Sequence, residues 1–392
     1  MYIADGVEYV GVNDRKTDLF EGQYKIPNGI SYNSYVVIGE KIAVMDSVDR
    51  DFGEEWLNNI ENVLQGRTPD YLVVLHMEPD HSANIAAFLD KYPETTVVSN
   101  SKVFAMAGNF FGKTVAPKRL EVKEGDVLDL GGKTLKFVFA PMVHWPEVMF
   151  AYEAEDKILF SADAFGKFGD LNANEPWDDE ARRYYIGIVG KFGVQVQTVL
   201  KKAAGLNIEK ICPLHGEVLS GNLAHYISLY NIWSSYAVES EGTLICYTSV
   251  YGHTKIAAEL LAEELEANGE KVAIFDLART DESLALAEAF RYGKLVLATT
   301  TYNGEVFPAM REFINELIGH NYQNRKVGFI ENGSWAPVAK KKLTDMLSVC
   351  KNITFAEASV KIISAVNEQN KEEIKKLAEE FGAKKIKRGK KL

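Results

Sequence analysis

The sequence predicts an α/β chain in two parts, a strand-rich sandwich of sheets covered by helices and then a doubly wound parallel sheet. Three observations predict it. Up to about residue 240, short apolar runs rich in β-branched residues come in pairs, 31–39 with 41–46 and 149–152 with 158–160, mixed with helical patterns. From Thr243 onward strand and helix patterns alternate regularly, as they do when helices cover both faces of a parallel sheet. Between the two, Glu239-Ser240-Glu241-Gly242 is short, polar and carries glycine, so the domains are read as 1–240 and 241–392.

In the first part, Gly39-Glu40 reads as the turn of a hairpin, a helix follows around Glu54 to Ile60, and 71–75 is a short continuous apolar strand. Ser82 is read as the N-cap of a helix over 83–89. A strand at 96–98, a helix near 103–106 and a strand over 133–140 come next, and a helix over 223–235 closes this part. In the second part the strands fall at 243–247, 271–275, 294–299, 326–330 and 353–355. The helices between and after them fall at 255–267, 282–290, 309–318, 338–349 and 371–381.

Composition narrows the function classes. At 392 residues the chain is comfortable for two domains, and 46% hydrophobic with 25% charged residues is ordinary globular protein. A net charge of -11 argues against nucleic acid as a partner. The basic tail 384–392 is read as a frayed, solvated terminus. Cys212, Cys246 and Cys350 lie far apart, with no Cys-x-x-Cys pair, so neither disulfides nor a thiolate-held cluster is expected. No signal-like N-terminus or bilayer-length apolar run is present, which leads to the expectation of a soluble, cytoplasmic protein with no membrane partner.

The chemistry concentrates after the strand at 71–75. His76-Met77-Glu78-Pro79-Asp80-His81 puts two imidazoles and two carboxylates into one strand-to-helix turn. A single histidine in a turn is ordinarily solvated, and an aspartate before a helix is ordinarily a cap. Further ligand types recur, however, each just past a strand: His144 after 133–140, Asp163 after 158–160, and His215 after the apolar 210–212. All lie where α/β sheets gather their sites. Mixed imidazole and carboxylate donors without thiolate suit iron better than structural zinc. His225 and His320 are read as ordinary helix or loop residues.

The second part opens on a different loop. Thr248, Ser249, Val250, Tyr251, Gly252, His253 and Thr254 offer hydroxyls and backbone N–H groups at a helix start, where a phosphate meets the positive end of the dipole. There is no Walker lysine and no three-glycine dinucleotide fingerprint, which suits a monophosphate. The next strand ends carry Thr300, Thr301, Tyr302, Asn303 and Gly304, then Asn332, Gly333, Ser334 and Trp335. Donors and an aromatic residue at each loop suit a flat heteroaromatic ring, hence flavin mononucleotide, although such aromatics also serve simply as cover for a core.

These motifs resemble those of the flavodiiron proteins over nearly the whole chain. Residues 1 to about 240 are similar to the metallo-β-lactamase-like αββα sandwich of that family, and about 243–383 to a flavodoxin-like five-stranded sheet. The resemblance implies that His76, Glu78 and His144 hold one iron, that Asp80, His81 and His215 hold the other, and that Asp163 bridges them. In some members the residue matching His81 is not bound to iron. The resemblance further implies FMN, reduction of dioxygen to water or of nitric oxide to nitrous oxide, and a head-to-tail homodimer or a dimer of such dimers. Rubredoxin is the implied electron donor, with another reduced carrier such as a deazaflavin as the alternative, since no cysteine-rich extension follows the flavodoxin part. Two iron ions and one FMN can together deliver the four electrons that dioxygen needs. Many dioxygen-preferring members have a histidine in the N-terminal segment; here 21–27 has none, and Tyr24 is the one candidate there for a catalytic role beyond the ligands. The alternatives are a zinc hydrolase of metallo-β-lactamase type fused to a flavodoxin, and a plain electron carrier. Glu78, standing where such hydrolases have histidine, weighs against the first; the complete ligand set weighs against the second.

Overall fold

The strand Tyr71–Val73, which carries the first ligand loop, lies inside a seven-stranded sheet in the computed structural model, which describes residues 1–112 and 115–382. The basic tail 384–392 lies outside the described residues. The order in this sheet is Tyr2–Ala4, Val7–Tyr9, Tyr35–Ile38, Ile42–Met45, Tyr71–Val73, Thr96–Ser99 and Arg119–Glu121. Pairing is antiparallel as far as Ile42–Met45 and parallel beyond it. That switch explains why the early strands are hairpin-linked while the later ones are separated by helices. A second, six-stranded sheet runs Val127–Asp129, Thr134–Phe139, Met149–Glu153, Ile158–Phe160, Lys210–Cys212 and Leu219–Ser220. Ile158–Phe160 and Lys210–Cys212 pair in parallel, so Asp163 and His215 leave the sheet at the same edge.

By contacts the chain divides into two compact units, Met1–Ser235 and Tyr236 onward. The segment 239–242 does not form a linker: Ser240–Tyr247 is a strand, with an irregularity between Ser240 and Thr243. In the first unit, helix Gly53–Leu64 buries Trp56, Ile60 and Leu64, one helical stripe. Trp56 meets Phe88 of helix Ile85–Lys91 with ring centroids 5.4 Å apart. Ser82 is not an N-cap. It ends a one-turn helix, Pro79–Ser82, and its hydroxyl donates to the Met77 carbonyl at 2.8 Å, closing the ligand loop on itself. Helices Trp177–Tyr184 and Gly193–Ala203, joined by a π-helical turn at Tyr185–Val189, were not anticipated.

The second unit has strand order Val272–Asp276, Ser240–Tyr247, Tyr292–Tyr302, Lys326–Asn332, Thr354–Phe355, all parallel. A further short strand, Val360–Ile362, pairs with the upper half of Lys326–Asn332. The order reverses between the first and second neighbours of Ser240–Tyr247, and such a switch point opens a crevice at the strands' carboxyl ends. Helices His253–Ala267 and Glu368–Phe381 supply Ala257, Leu261, Leu265, Ile374, Leu377 and Phe381 to one core beneath the sheet. Gly328 is needed there, because a Cβ would come within 2.9 Å of the Phe381 ring.

Candidate functional site

Seven side chains singled out from the sequence converge in the first unit as two adjacent groups. In one, His144 Nε2 lies 3.0 Å from both Glu78 Oε2 and Asp163 Oδ2, and His76 Nε2 lies 3.2 and 3.4 Å from the same two atoms. In the other, Asp80 Oδ2 lies 3.2 Å from His81 Nε2 and 3.4 Å from His215 Nε2. Asp163 belongs to both. Its Oδ2 faces the first group while its Oδ1 lies 3.3 Å from His81 Nε2 and 4.0 Å from His215 Nε2. Metal–ligand bonds of about 2.1 Å put neighbouring donor atoms roughly 3.0–3.5 Å apart, so most of this spacing is that of coordination shells.

The polar bookkeeping points the same way. Among the described residues, both carboxylate oxygens of Asp80 and Oδ1 of Asp163 are buried without a hydrogen-bond donor of good geometry. A buried anion left unpaired is costly, and a metal cation is the partner such oxygens fit. Burial raises the carboxyls of Asp80 and Asp163, yet the surrounding imidazoles prevail and hold both below the ordinary range. Conversely, burial lowers the His81 and His144 imidazoles, but the facing carboxylates push them up to about 10 and about 9. Both sets of shifts have one cause: the carboxylate-rich pocket favours positive charge. The Nε2 atoms of His81 and His215 face each other at 3.0 Å, so the two rings present their Nε2 atoms to the same point.

The supporting contacts are unequal. His76 Nδ1–H donates to Glu147 Oε1 at 2.8 Å, and that same oxygen accepts from Met77 N at 2.9 Å. His215 Nδ1–H donates to the Ser31 carbonyl at 2.8 Å. Such bonds fix the tautomer and leave Nε2 free to ligate. His81 Nδ1 has no partner among the described residues. Asp46 accepts from Leu75 N and His76 N at 2.7 and 3.2 Å, pinning the loop's start. Asn33 donates to the carbonyls of Pro213 and Gly216 and so clamps the loop that carries His215.

In the second unit a cleft of about 670 Å³ opens at the switch point. Ser249, Val250, Tyr251, His253 and Thr254 line one side, and residues 300–304 and 332–335 line the rest. Thr248 and Gly252 are not among the lining residues. The Thr248 hydroxyl is bonded to that of Thr299 at 2.7 Å beneath the floor, and Gly252, with φ of 94°, makes the turn into helix His253–Ala267. Ala336 and Ser364 join the lining. Trp335 and Tyr251 stand 89% and 90% exposed at the rim, with ring faces open to a flat ligand.

The chain's relatives agree with this geometry. A family model described as "ODP family beta lactamase" matches residues 30–216, and one described as "Flavodoxin domain" matches 244–379. Over 349 residues the chain is 31% identical to the anaerobic nitric oxide reductase flavorubredoxin of Aliivibrio salmonicida, covering 86% of this chain and 69% of that one. Its fold superposes on rubredoxin oxygen:oxidoreductase from Desulfovibrio gigas with a TM-score of 0.90, at 26% identity and 97% coverage of each chain. The flavodiiron protein of Giardia intestinalis matches with the same score, at 25% identity, covering 97% of this chain and 96% of that one. The chain belongs to the flavodiiron proteins.

As a flavodiiron protein it is an oxidoreductase whose cofactors are FMN and a non-haem diiron pair. The donor set fits the irons by its charge and its orphaned carboxylate oxygens, and the cleft fits FMN by its size, hydroxyls and rim aromatics. Sequence reasoning missed three residues around the metal pocket. Glu147 and Asp46 carry no motif of their own. Tyr184 sits in a helix that gave no signal, yet its hydroxyl is buried without a hydrogen-bond partner among the described residues, within electrostatic reach of Asp163, Asp80, Glu78 and Glu21. The Tyr24 hydroxyl donates to the Gly187 carbonyl at 3.0 Å, and its ring lies 5.6 Å from that of Phe168.

Proposed function

We propose that this flavodiiron protein reduces dioxygen to water, nitric oxide to nitrous oxide, or both, with the two irons held by the seven donors above. His76, Glu78 and His144 would hold one iron and Asp80, His81 and His215 the other, with Asp163 placed to serve both. The observation that carries this reading is the division of labour within Asp163, one oxygen toward each group. When bound, the iron pair and the flavin supply two electrons each. Four electrons and four protons take dioxygen to two waters; two of each take two nitric oxide molecules to nitrous oxide and one water.

The chain's own residues prepare the pocket for that chemistry. Glu147 and the Ser31 carbonyl aim the lone pairs of His76 and His215 inward. Glu78, Asp80 and Asp163 offset the charge of paired iron ions. Tyr184 holds a phenolic proton beside these carboxylates; burial first, then their charge, raises its pKa well above normal, so it stays a donor. In the second unit the loop 249–254 is the phosphate end of the cleft, at the N-terminus of helix His253–Ala267, and Tyr302 and Trp335 flank the ring end. Thr248 and Gly252 serve it from behind.

The names of the relatives support both gases: nitric oxide reductase for the bacterial flavorubredoxins, oxygen:oxidoreductase for the Desulfovibrio protein. They also support rubredoxin as donor, since it is written into those names. The family's head-to-tail homodimer, in the cytoplasm, is the arrangement that brings flavin and irons within electron-transfer range. Among the described residues no helix is long and apolar enough to cross a membrane. The test is anaerobic. The fully reduced protein is mixed separately with dioxygen and with nitric oxide, following flavin absorbance, with metal and flavin assayed on the same sample. Two irons and one FMN per chain with rapid reoxidation are expected. Zinc in place of iron, with a flavin indifferent to both gases, would overturn the reading in favour of a hydrolase.

A further inference from the structure

Behind the metal pocket lies a second cavity in the first unit, of about 310 Å³, which the metal and flavin sites leave unexplained. It is bounded by helix Gly193–Ala203, by residues 204–208, by helix Leu223–Ser234 and by strands of the six-stranded sheet. Every lining side chain is apolar except for the hydroxyl of Tyr230, and that hydroxyl already accepts from Phe165 N. Such a lining offers water few hydrogen-bond partners, and apolar space of this kind takes up small apolar guests. Its outer end meets solvent near Ala204 and Ile227, both exposed.

Its inner wall is what gives the cavity meaning. Val143 precedes His144 in the chain, and Ala164 and Phe165 follow Asp163, so the wall consists of the immediate neighbours of two metal ligands. We propose that this cavity is a reservoir and entry path for the gaseous substrate, an uncharged, weakly polar diatomic molecule. The proposal rests on the reaction assigned above. Dioxygen and nitric oxide partition from water into apolar surroundings for the same reason hydrocarbons do. The charged, carboxylate-rich metal pocket gives neither gas such an advantage. A reservoir walled by the chain neighbours of His144 and Asp163 raises the local gas concentration beside the site that consumes it, which matters most when the gas is scarce. A hydrocarbon chain is the rival occupant. The small volume, at the low end of ligand pockets, and the inner wall against the ligands favour the gas.

Xenon is the probe, because it follows the same partition without chemistry. Crystals of the iron- and FMN-loaded protein pressurised with xenon are expected to show it in this cavity. Two variants fill the space from the helix side without touching a metal donor: Val199→Phe and Ala203→Phe. Each is expected to lose xenon, keep its iron and flavin content, and show a severalfold lower rate of flavin reoxidation at limiting dioxygen or nitric oxide. At saturating gas their rates should match the unaltered protein. A xenon-free cavity in the unaltered protein, or an acyl chain bound there after purification, would overturn the proposal. So would an unchanged gas-limited rate in a folded variant that has lost its xenon. Failure of the reaction itself is a separate result, shown by an unaltered, fully loaded protein that is indifferent to both gases.

Discussion

The two sites of this chain are built on opposite principles. In the first unit, charged side chains face one another at 3.0–3.4 Å in a pocket where His76, His81, Asp163 and His215 are wholly buried. In the second, the cleft is made of hydroxyls, backbone turns and exposed rings, and its floor is already satisfied by the Thr248–Thr299 and Thr254–Thr300 hydroxyl pairs. The first is thermodynamically incomplete by itself: it concentrates anionic groups whose buried oxygens lack donors. The second costs its unit little. A binding site can therefore be a debt to the fold or a neutral surface, and the difference shows in how each unit responds to loss of its ligand.

Metal removal should give the largest effect. Chelation at neutral pH is expected to lower the calorimetric transition of the first unit by on the order of 10 °C, since binding at about a thousandfold above Kd contributes about 4 kcal/mol. Removal of FMN should move the second unit's transition less. Equal shifts on losing either cofactor would break the contrast. Next in size is Glu147→Gln, which keeps an acceptor for His76 Nδ1–H but removes its charge. Partners behind a metal ligand of this kind are worth about 10–100-fold in metal affinity, and a titration of metal-free protein with ferrous iron should show that loss. His76 loses its carboxylate partner in this variant; the contacts of His215 with Ser31 are left alone.

These two sites were not equally legible in the sequence. The seven side chains proposed as metal donors, which the fold brings together, could be singled out because each follows a strand and the spacing His-x-Glu-x-Asp-His is local. What holds them could not be. Glu147 reaches His76 across 71 positions and Ser31 reaches His215 across 184, and no window of sequence shows such pairs. Ser82 looked like a cap because it precedes an apolar run, but the Met77 carbonyl lay closer to hand. The flavin loops were read from hydroxyls and aromatics at strand ends. Periodicity could not tell that Thr248 would lie beneath the floor, because a threonine bonded to Thr299 and one bonded to a phosphate look alike in sequence. Five parallel strands were legible from alternation. The split of the last into Thr354–Phe355 and Val360–Ile362 was not, since neither piece is long enough to carry a pattern.

On the flavin side the expected effects are smaller. Trp335→Ala should weaken FMN by about tenfold, the worth of one aromatic stacking partner at roughly 1–1.5 kcal/mol, with iron content unchanged. Fluorescence titration of flavin-free protein measures it. A loss of iron together with flavin would show that the two sites are not separable in the way their construction suggests.

The smallest effect tests whether carboxylates behave as their neighbours dictate. Asp80 and Asp163 are held below the ordinary range by imidazoles. Glu282 in the second unit has no such company: burial first, then the charges of Glu316, Glu312 and Asp281, push its carboxyl up to about 7. Its Oε1 is buried without a partner among the described residues, although the position lies in the first turn of helix Glu282–Arg291, where the dipole favours an anion. A folded pKa above the unfolded one means the native state binds the extra proton, so stability falls as pH rises from about 4.5 through 7. Glu282→Gln should remove that loss. Because the group is only half-buried, solvent screening reduces the gain to about 1 kcal/mol above pH 7, vanishing below about pH 4.5. Urea unfolding of the second unit at pH 8 and pH 4.5 reads the difference directly. A gain of equal size at both pH values would assign it to packing, and the contrast between the two kinds of carboxylate would fall.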